Sequence, residues 1–249
     1  MSSCDHVDTL VSEPRGPFYG PLAHGFACGA HIPIHNAHAW NALVDPATGG
    51  EETRESLAES WGITNPQEWR EQVDYLLAGQ NVGPETDLLL HLRRDIFGRY
   101  GRCDLPMWRD AIVQWGRSRG TAPELVDEFV HNVGMITRYE ARFRADGLLP
   151  LNGTVNSVLG YDFGRAVSMA RWGFGAGFCD YPTAESVILR TGALTRQYYV
   201  SWADFGAGYA LGRVLRFDNE EYGHMYESVL GPHRMLMTAP ASPWRHIPF

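Results

Sequence analysis

Helix punctuation is the feature that most narrows what this chain can fold into. Asn65-Pro66 opens one segment: Asn is a strong N-cap, Pro is tolerated at the first helical position because its missing N–H has no intrahelical partner, and Glu68 falls in the first turn. Trp69, Val73, Leu76 and Leu77 then recur at i, i+4, i+7 and i+8, and Gly79 stands where a helix end favours glycine. The same grammar predicts helices over Glu51–Ser60, Pro84–Phe97, Pro106–Trp115, Pro123–Ala145, Val155–Phe178, Pro182–Tyr199 and Ser201–Phe217, with a weaker turn or helix at Glu220–Leu230. Ala111–Trp115 and Tyr198–Ser201 are ambiguous, but no segment alternates clearly at period two. Residues 22–40 are rich in small residues, and Gly25, Gly29 and Pro33 interrupt any long helix there. Asp45–Gly50 reads as a loop. The fold class expected is mainly α: a single compact multi-helix domain, residues 21–230, with an irregular, flexible N-terminal arm at 1–20 and a C-terminal tail at 231–249.

Composition then limits the function classes. At 249 residues and 44% hydrophobic, the chain has ample material for a core, and it is too apolar to be disordered. The formal net charge of -8 opposes a phosphate backbone or an anionic membrane surface, so neither a nucleic-acid nor a membrane partner is expected. All 21 basic residues are arginine, which removes P-loop, Schiff-base and lysine general-base chemistry together. Cys4, Cys28, Cys103 and Cys179 form no C-x-x-C pair and suit reduced thiols. With neither a signal-peptide pattern at the N-terminus nor an apolar run of membrane-spanning length, a cytoplasmic protein is expected.

The most distinctive stretch runs Tyr161-Asp-Phe-Gly-Arg165-Ala-Val-Ser-Met-Ala-Arg171-Trp-Gly-Phe-Gly-Ala-Gly-Phe178, followed by Ser201-Trp-Ala-Asp-Phe-Gly-Ala-Gly-Tyr209-Ala-Leu-Gly212-Arg213. With the upstream Trp61-Gly62-Ile63 step, these segments resemble the bacterial domain-of-unknown-function family 1266 over about residues 55–217. Tyr161 stands where that family often has Trp, which keeps an aromatic ring. The resemblance implies a compact helical domain and brings no established reaction with it.

Read physically, Val158, Leu159, Phe163, Ala166, Ala170 and Phe174 define one apolar helix face, and Asp162 falls inside it. An ionised carboxylate there needs a partner, and Arg165 at i+3 is the nearest candidate. Arg171 points to the opposite side and must meet another element or solvent. On the later helix Trp202, Phe205, Tyr209, Arg213 and Arg216 form a stripe, an aromatic platform ending in two guanidinium groups. Two readings stay open. In one, Asp162 and Arg165 are a buried pair fixing helix register, and Trp202 and Tyr209 are core aromatics. In the other, Asp162, Arg165, Arg171, Trp202, Tyr209 and Arg213 are ligand-binding candidates, guanidinium forks suiting carboxylate or phosphate and aromatic faces suiting a planar group.

Other constellations carry less. His24, Cys28, His31, His35 and His38 would share one face of an unbroken helix, but Pro33 interrupts it, so no metal is assigned. Glu128-x-x-His131 and Glu221-x-x-His224, with Glu71 and Glu185, have the chain order of a di-metal carboxylate bundle, although Gly223 weakens the second helix. Gly116-x-Ser118-x-Gly120 matches a nucleophile elbow but follows a helix rather than a strand. The glycines at 173, 175, 177, 206, 208 and 212 fall short of a dinucleotide fingerprint and suit close helix contact instead. No cofactor is expected. The favoured function is a non-catalytic module binding a small ligand or a protein partner. The alternative is an enzyme acting on an anionic or nucleotide-like substrate, with Asp162 as acid or base and arginines stabilising charge.

Overall fold

The computed structural model describes residues 8–44 and 49–249; the first seven residues of the arm, with Cys4, and residues 45–48 of the expected loop lie outside them. Among the described residues the chain forms α1 (Gly20–Cys28), α2 (His31–His35), α3 (Gly50–Trp61), α4 (Pro66–Leu77), α5 (Pro84–Tyr100), α6 (Leu105–Arg119), α7 (Pro123–Asp146), α8 (Leu159–Gly175), α9 (Tyr181–Tyr198), α10 (Trp202–Phe217), α11 (His224–Thr238) and α12 (Pro243–His246). No strand occurs among them, only a single bridge between Val11 and Ala39. The mainly α fold class therefore holds, and both ambiguous segments lie outside any sheet.

Local chemistry accounts for the helix starts. Asn65 accepts from the amides of Gln67 and Glu68, while Asp104, Asp180 and Ser201 cap α6, α9 and α10 in the same way. Gly62 closes α3 in the left-handed region that glycine enters without a Cβ penalty. The N-terminal break falls at Gly29-Ala30, between α1 and α2, and not at Pro33. Pro33 sits in the first turn of α2, where its missing N–H costs nothing.

The core is organised around α8. Thirteen of its 17 residues are buried, so it is an internal helix and not the one-faced helix expected from its apolar stripe. α1, α3, α4, α9 and α10 surround it. Small residues permit this crowding: a Cβ on Gly208 of α10 would lie 2.4 Å from the Ser157 carbonyl oxygen, and one on Gly212 2.6 Å from Tyr161 Cβ. Gly173 is filled by the ring of Trp69, whose Nε1 donates to the Met169 carbonyl at 2.8 Å and pins α4 to α8. Gly173, Gly206, Gly208 and Gly212 thus serve close packing, whereas Gly175 meets only ordinary contacts and Gly177 sits at a positive φ after α8.

α8 starts at Leu159, later than the expected Val155, because residues just before it are held by side chains of other helices. Val155 N donates to Glu140 Oε1 at 2.7 Å, and Ser157 Oγ donates to Asp87 at 2.8 Å. At the other end of the chain, α11 runs through position 230 to Thr238, with Pro232 inside it. Beyond it, Trp244 stacks on Trp202 at 5.3 Å and 9° and donates to the Ala27 carbonyl, so the expected tail is built into the core. The described part of the arm is fastened too: Thr9 N donates to Ile34 O, and Glu13 N to Asn41 Oδ1. No helix among the described residues is long and apolar enough to cross a membrane.

Candidate functional site: an arginine-lined cavity

A cavity of about 280 Å³ opens where α2, α3, α8, α10 and α11 converge. α3 is held there by Arg54, whose Nε donates to the Ala176 carbonyl at 2.7 Å at the end of α8. Arg165 of α8 and Arg213 of α10 both line the cavity, as do His31 and His35 of α2. No aspartate or glutamate lines it, although the whole chain carries a net charge of -8.

Arg165 is held by aromatic faces. Its guanidinium carbon lies 4.6 Å from the ring centre of Trp61, 5.3 Å from that of Trp172 and 5.9 Å from that of Tyr161. It makes no hydrogen bond or ion pair with any described residue, and its Nε is buried without a partner. Arg213 sits on the other side of Tyr161: it donates to the Tyr161 hydroxyl at 3.4 Å and approaches Met225 Sδ at 3.4 Å, with Phe217 beneath it at 4.7 Å. It too lacks a carboxylate partner among the described residues. Two cations therefore flank one tyrosine, one over its ring and one at its hydroxyl.

His31 forms part of the cavity wall and is only 2% exposed. Its ring lies flat on Tyr209, 3.8 Å apart at 4°, and meets the face of Trp244 edge-on at 5.2 Å. Both ring nitrogens lack a protein partner. Burial, reinforced by His233, pushes His31 well below the usual histidine range, so the ring is neutral at pH 7. Burial likewise raises the Tyr209 hydroxyl, with Tyr161 adding to the shift. The cavity wall thus presents two fixed cations, a neutral imidazole and stacked aromatic faces. An unmet buried donor or acceptor costs roughly 1–3 kcal/mol.

Of the sequence candidates, Arg165, Tyr209 and Arg213 come together at this cavity. Arg171 lines an adjoining one of about 300 Å³, with its guanidinium donating to the carbonyls of Ala39 and Trp40. Trp202 is packed away from both, its Nε1 donating to Ile247 O at 2.8 Å. Asp162 lines neither cavity and does not pair with Arg165, which corrects the expected i,i+3 contact. It accepts instead from Asn81 N at 2.9 Å, Asn81 Nδ2 at 3.1 Å and Val82 N at 3.3 Å. Burial raises its carboxyl above the ordinary value against the pull of those bonds. The loop after α4 brings two backbone donors to Asp162, something no helix-local rule anticipates. Asp162 thereby anchors residues 81–82 on α8, and Arg216 donates to the carbonyl of Asn81 from α10.

The metal patterns are not assembled. Among the described residues no three His, Cys, Asp or Glu side chains are grouped to hold an ion. His24 packs on Trp202 and Phe249, His35 pairs with Asp8 at 3.2 Å, and Cys28, 3.9 Å from His24 Nδ1, is pushed by burial up to about 12. Ser118 sits inside α6 and donates to the Trp115 carbonyl, so it is not at a strand–helix elbow. Sequence reasoning missed His31 as a ring stacked on Tyr209, and it missed Trp61 and Trp172 as walls around Arg165. The latter two do stand in the Trp61-Gly62-Ile63 and Arg171-Trp172-Gly173 steps.

Neither the curated proteins nor the solved structures contain a match to this chain. The family comparison does give one, and it reaches beyond the expected end at 217 to include α11 and α12. It covers the elements that carry Trp61, Arg165, Trp172 and Arg213, while His31 and His35 lie upstream of it. On a match spanning residues 56–249, the chain belongs to the family described as Protein of unknown function (DUF1266).

Proposed function

We propose that this chain is a small-ligand-binding module whose cavity takes an anion bearing a carboxylate or phosphate group. The observation that carries this reading is Arg165: a guanidinium stacked among three aromatic rings, without a hydrogen bond or ion pair to any described residue, on a cavity wall where the described residues supply a second arginine and no carboxylate. Arginine forks bind carboxylate and phosphate by two parallel bonds, and desolvated surroundings strengthen such bonds. Concavity favours a small ligand over a protein partner. The alternative, an enzyme with Asp162 as acid or base, has less support because the oxygens of Asp162 are already engaged by Asn81 and Val82.

A thermal-unfolding panel tests the reading, with inorganic phosphate, sulfate and citrate compared with sodium chloride at matched ionic strength. A ligand that binds only the folded state raises its stability by RT ln(1 + [L]/Kd). A saturable rise in Tm is expected with at least one of these anions and is lost in Arg165→Gln and Arg213→Gln. No rise beyond that with chloride, or a rise undiminished in both variants, overturns it.

A further inference from the structure

The anion cavity does not stand alone. The adjoining cavity of about 300 Å³ shares Ile32, Asn36, Ser56 and Trp172 with it, so the two form neighbouring chambers along α2, α3 and α8. Their chemistry differs. The second chamber adds Glu52, Thr53, Ser168 and Arg171. Thr53 and Ser168 spend their hydroxyl protons on helix carbonyls four residues back, at 3.0 and 3.3 Å, which leaves their oxygens as acceptors. Arg171 is committed to the carbonyls of Ala39 and Trp40. Glu52, an acceptor when ionised, is exposed on α3 beside Ser56. One chamber presents cations to an anion; the next combines carboxylate and hydroxyl oxygens with the imidazole of His38 and the amide of Asn36, a mixture that suits hydroxyl groups, which both donate and accept.

A hydroxylated group fits that second chamber better than an ammonium. The face of Trp172 is already beneath the Arg165 guanidinium at 5.3 Å, and Arg171 stands in the chamber wall, so a further cation there would meet two like charges against the single carboxylate of Glu52. The C–H face of a polyol ring can cover an indole while its hydroxyls donate outward. Taken singly, the chambers of about 280 and 300 Å³ lie just below and at the lower limit of small-molecule sites, about 300–1,000 Å³, and the pair together offers room for a ligand with two distinct ends. Resting on the anion reading above, we infer that the ligand is a small hydroxylated anion of the sugar-phosphate class. Its phosphate lies at Arg165 and Arg213, and its hydroxyl-bearing part passes Trp172 towards Ser56 and Glu52.

Isothermal titration at fixed ionic strength separates this inference from the reading it rests on. The probes are inorganic phosphate, glycerol 3-phosphate, a pentose 5-phosphate and a hexose 6-phosphate. At least one phosphorylated polyol is expected to bind tenfold or more tightly than inorganic phosphate. Glu52→Gln combined with Ser56→Ala, both on the exposed side of α3, is expected to cut that affinity ratio at least fivefold. If phosphate binds through Arg165 and none of the three polyol phosphates binds more tightly, the sugar-phosphate assignment falls and the anion reading stands. The assignment also falls if a polyol phosphate binds more tightly but the double variant leaves the ratio unchanged. If neither phosphate nor any polyol phosphate binds, the assignment falls together with a phosphate-binding cavity.

Discussion

Arg93 and Arg165 occupy similar settings and meet opposite fates. Both lie over a tryptophan ring, Arg93 at 4.4 Å from Trp108 and Arg165 at 4.6 Å from Trp61. Arg93, 8% exposed, forms a two-pronged pair with Glu140 at 2.9 and 2.8 Å and also donates to the Val155 carbonyl. Glu140 in turn accepts from Val155 N, so α5, α7 and the segment before α8 meet in one satisfied network. Arg165 has the aromatic support and none of the partners among the described residues. A buried cation matched by a carboxylate fixes architecture; one left unmatched on a cavity wall is, in the function proposed above, the group that meets an anion.

The largest effect that can break this contrast comes from turning Arg93 into a second orphan. Glu140→Ala leaves a buried guanidinium uncompensated and is expected to cost about 3–5 kcal/mol, read from the shift in the urea midpoint. A cost under 1 kcal/mol would mean that an unmatched arginine is tolerated anywhere in this fold, and the argument from Arg165 would lose its force.

Acid pH sharpens the contrast next. Burial holds His24 and His233 down to about 4 and His31 well below its usual value, all from an ordinary value of 6.5. These rings fold neutral, so the stability they contribute is complete above pH 6.5. It falls as the unfolded chain binds protons that the native state refuses, until His24 and His233 titrate in the folded state near pH 4. Asp162 opposes this trend because its carboxyl is raised. The urea midpoint is therefore expected to decline from pH 6.5 to 4.5, and His233→Gln to flatten the decline. A midpoint independent of pH over that range contradicts the assignment of these three imidazoles as buried and neutral.

A smaller effect probes the wall itself. Gly173→Ala places a Cβ 2.0 Å from Trp69 Nε1 and is expected to cost about 1–3 kcal/mol through overpacking. A cost near zero would show that α4 and α8 are not in the close contact that Trp69 makes at Gly173. The smallest effect belongs to Arg165→Gln in anion-free buffer. Cation–π contact worth about 0.5–2 kcal/mol is offset by an unmet buried donor costing about 1–3 kcal/mol, so stability should change by less than about 1 kcal/mol. A loss as large as that of Glu140→Ala would return Arg165 to a structural role.

Helix starts were legible because caps are local: Asn65 and Ser201 accept from amides within three residues, and Pro66 at the first helical position has no N–H to satisfy. The apolar stripe of α8 misled because face arguments assume one buried side, and α8 is surrounded. Within the site, Arg165 and Arg213 stood out as charges in apolar stripes. Their separation from Asp162 did not, because it depends on a loop 81 residues upstream. The stacking of His31 on Tyr209 joins α2 to α10 across a distance in sequence that no periodicity spans. The segment after 230 gave little signal, since Pro232 within α11 reads as a stop and only tertiary packing overrides it.

The central claim is that Arg165 is kept unpaired for an anion. Calorimetric titration of inorganic phosphate and citrate into wild type and Arg165→Gln, each first shown to unfold at the same urea midpoint, tests it most directly. Saturable one-site binding of at least one anion by wild type, weakened tenfold or more in the variant, is the result predicted. Equal affinity in the two proteins, or no binding of either anion by wild type, would contradict it.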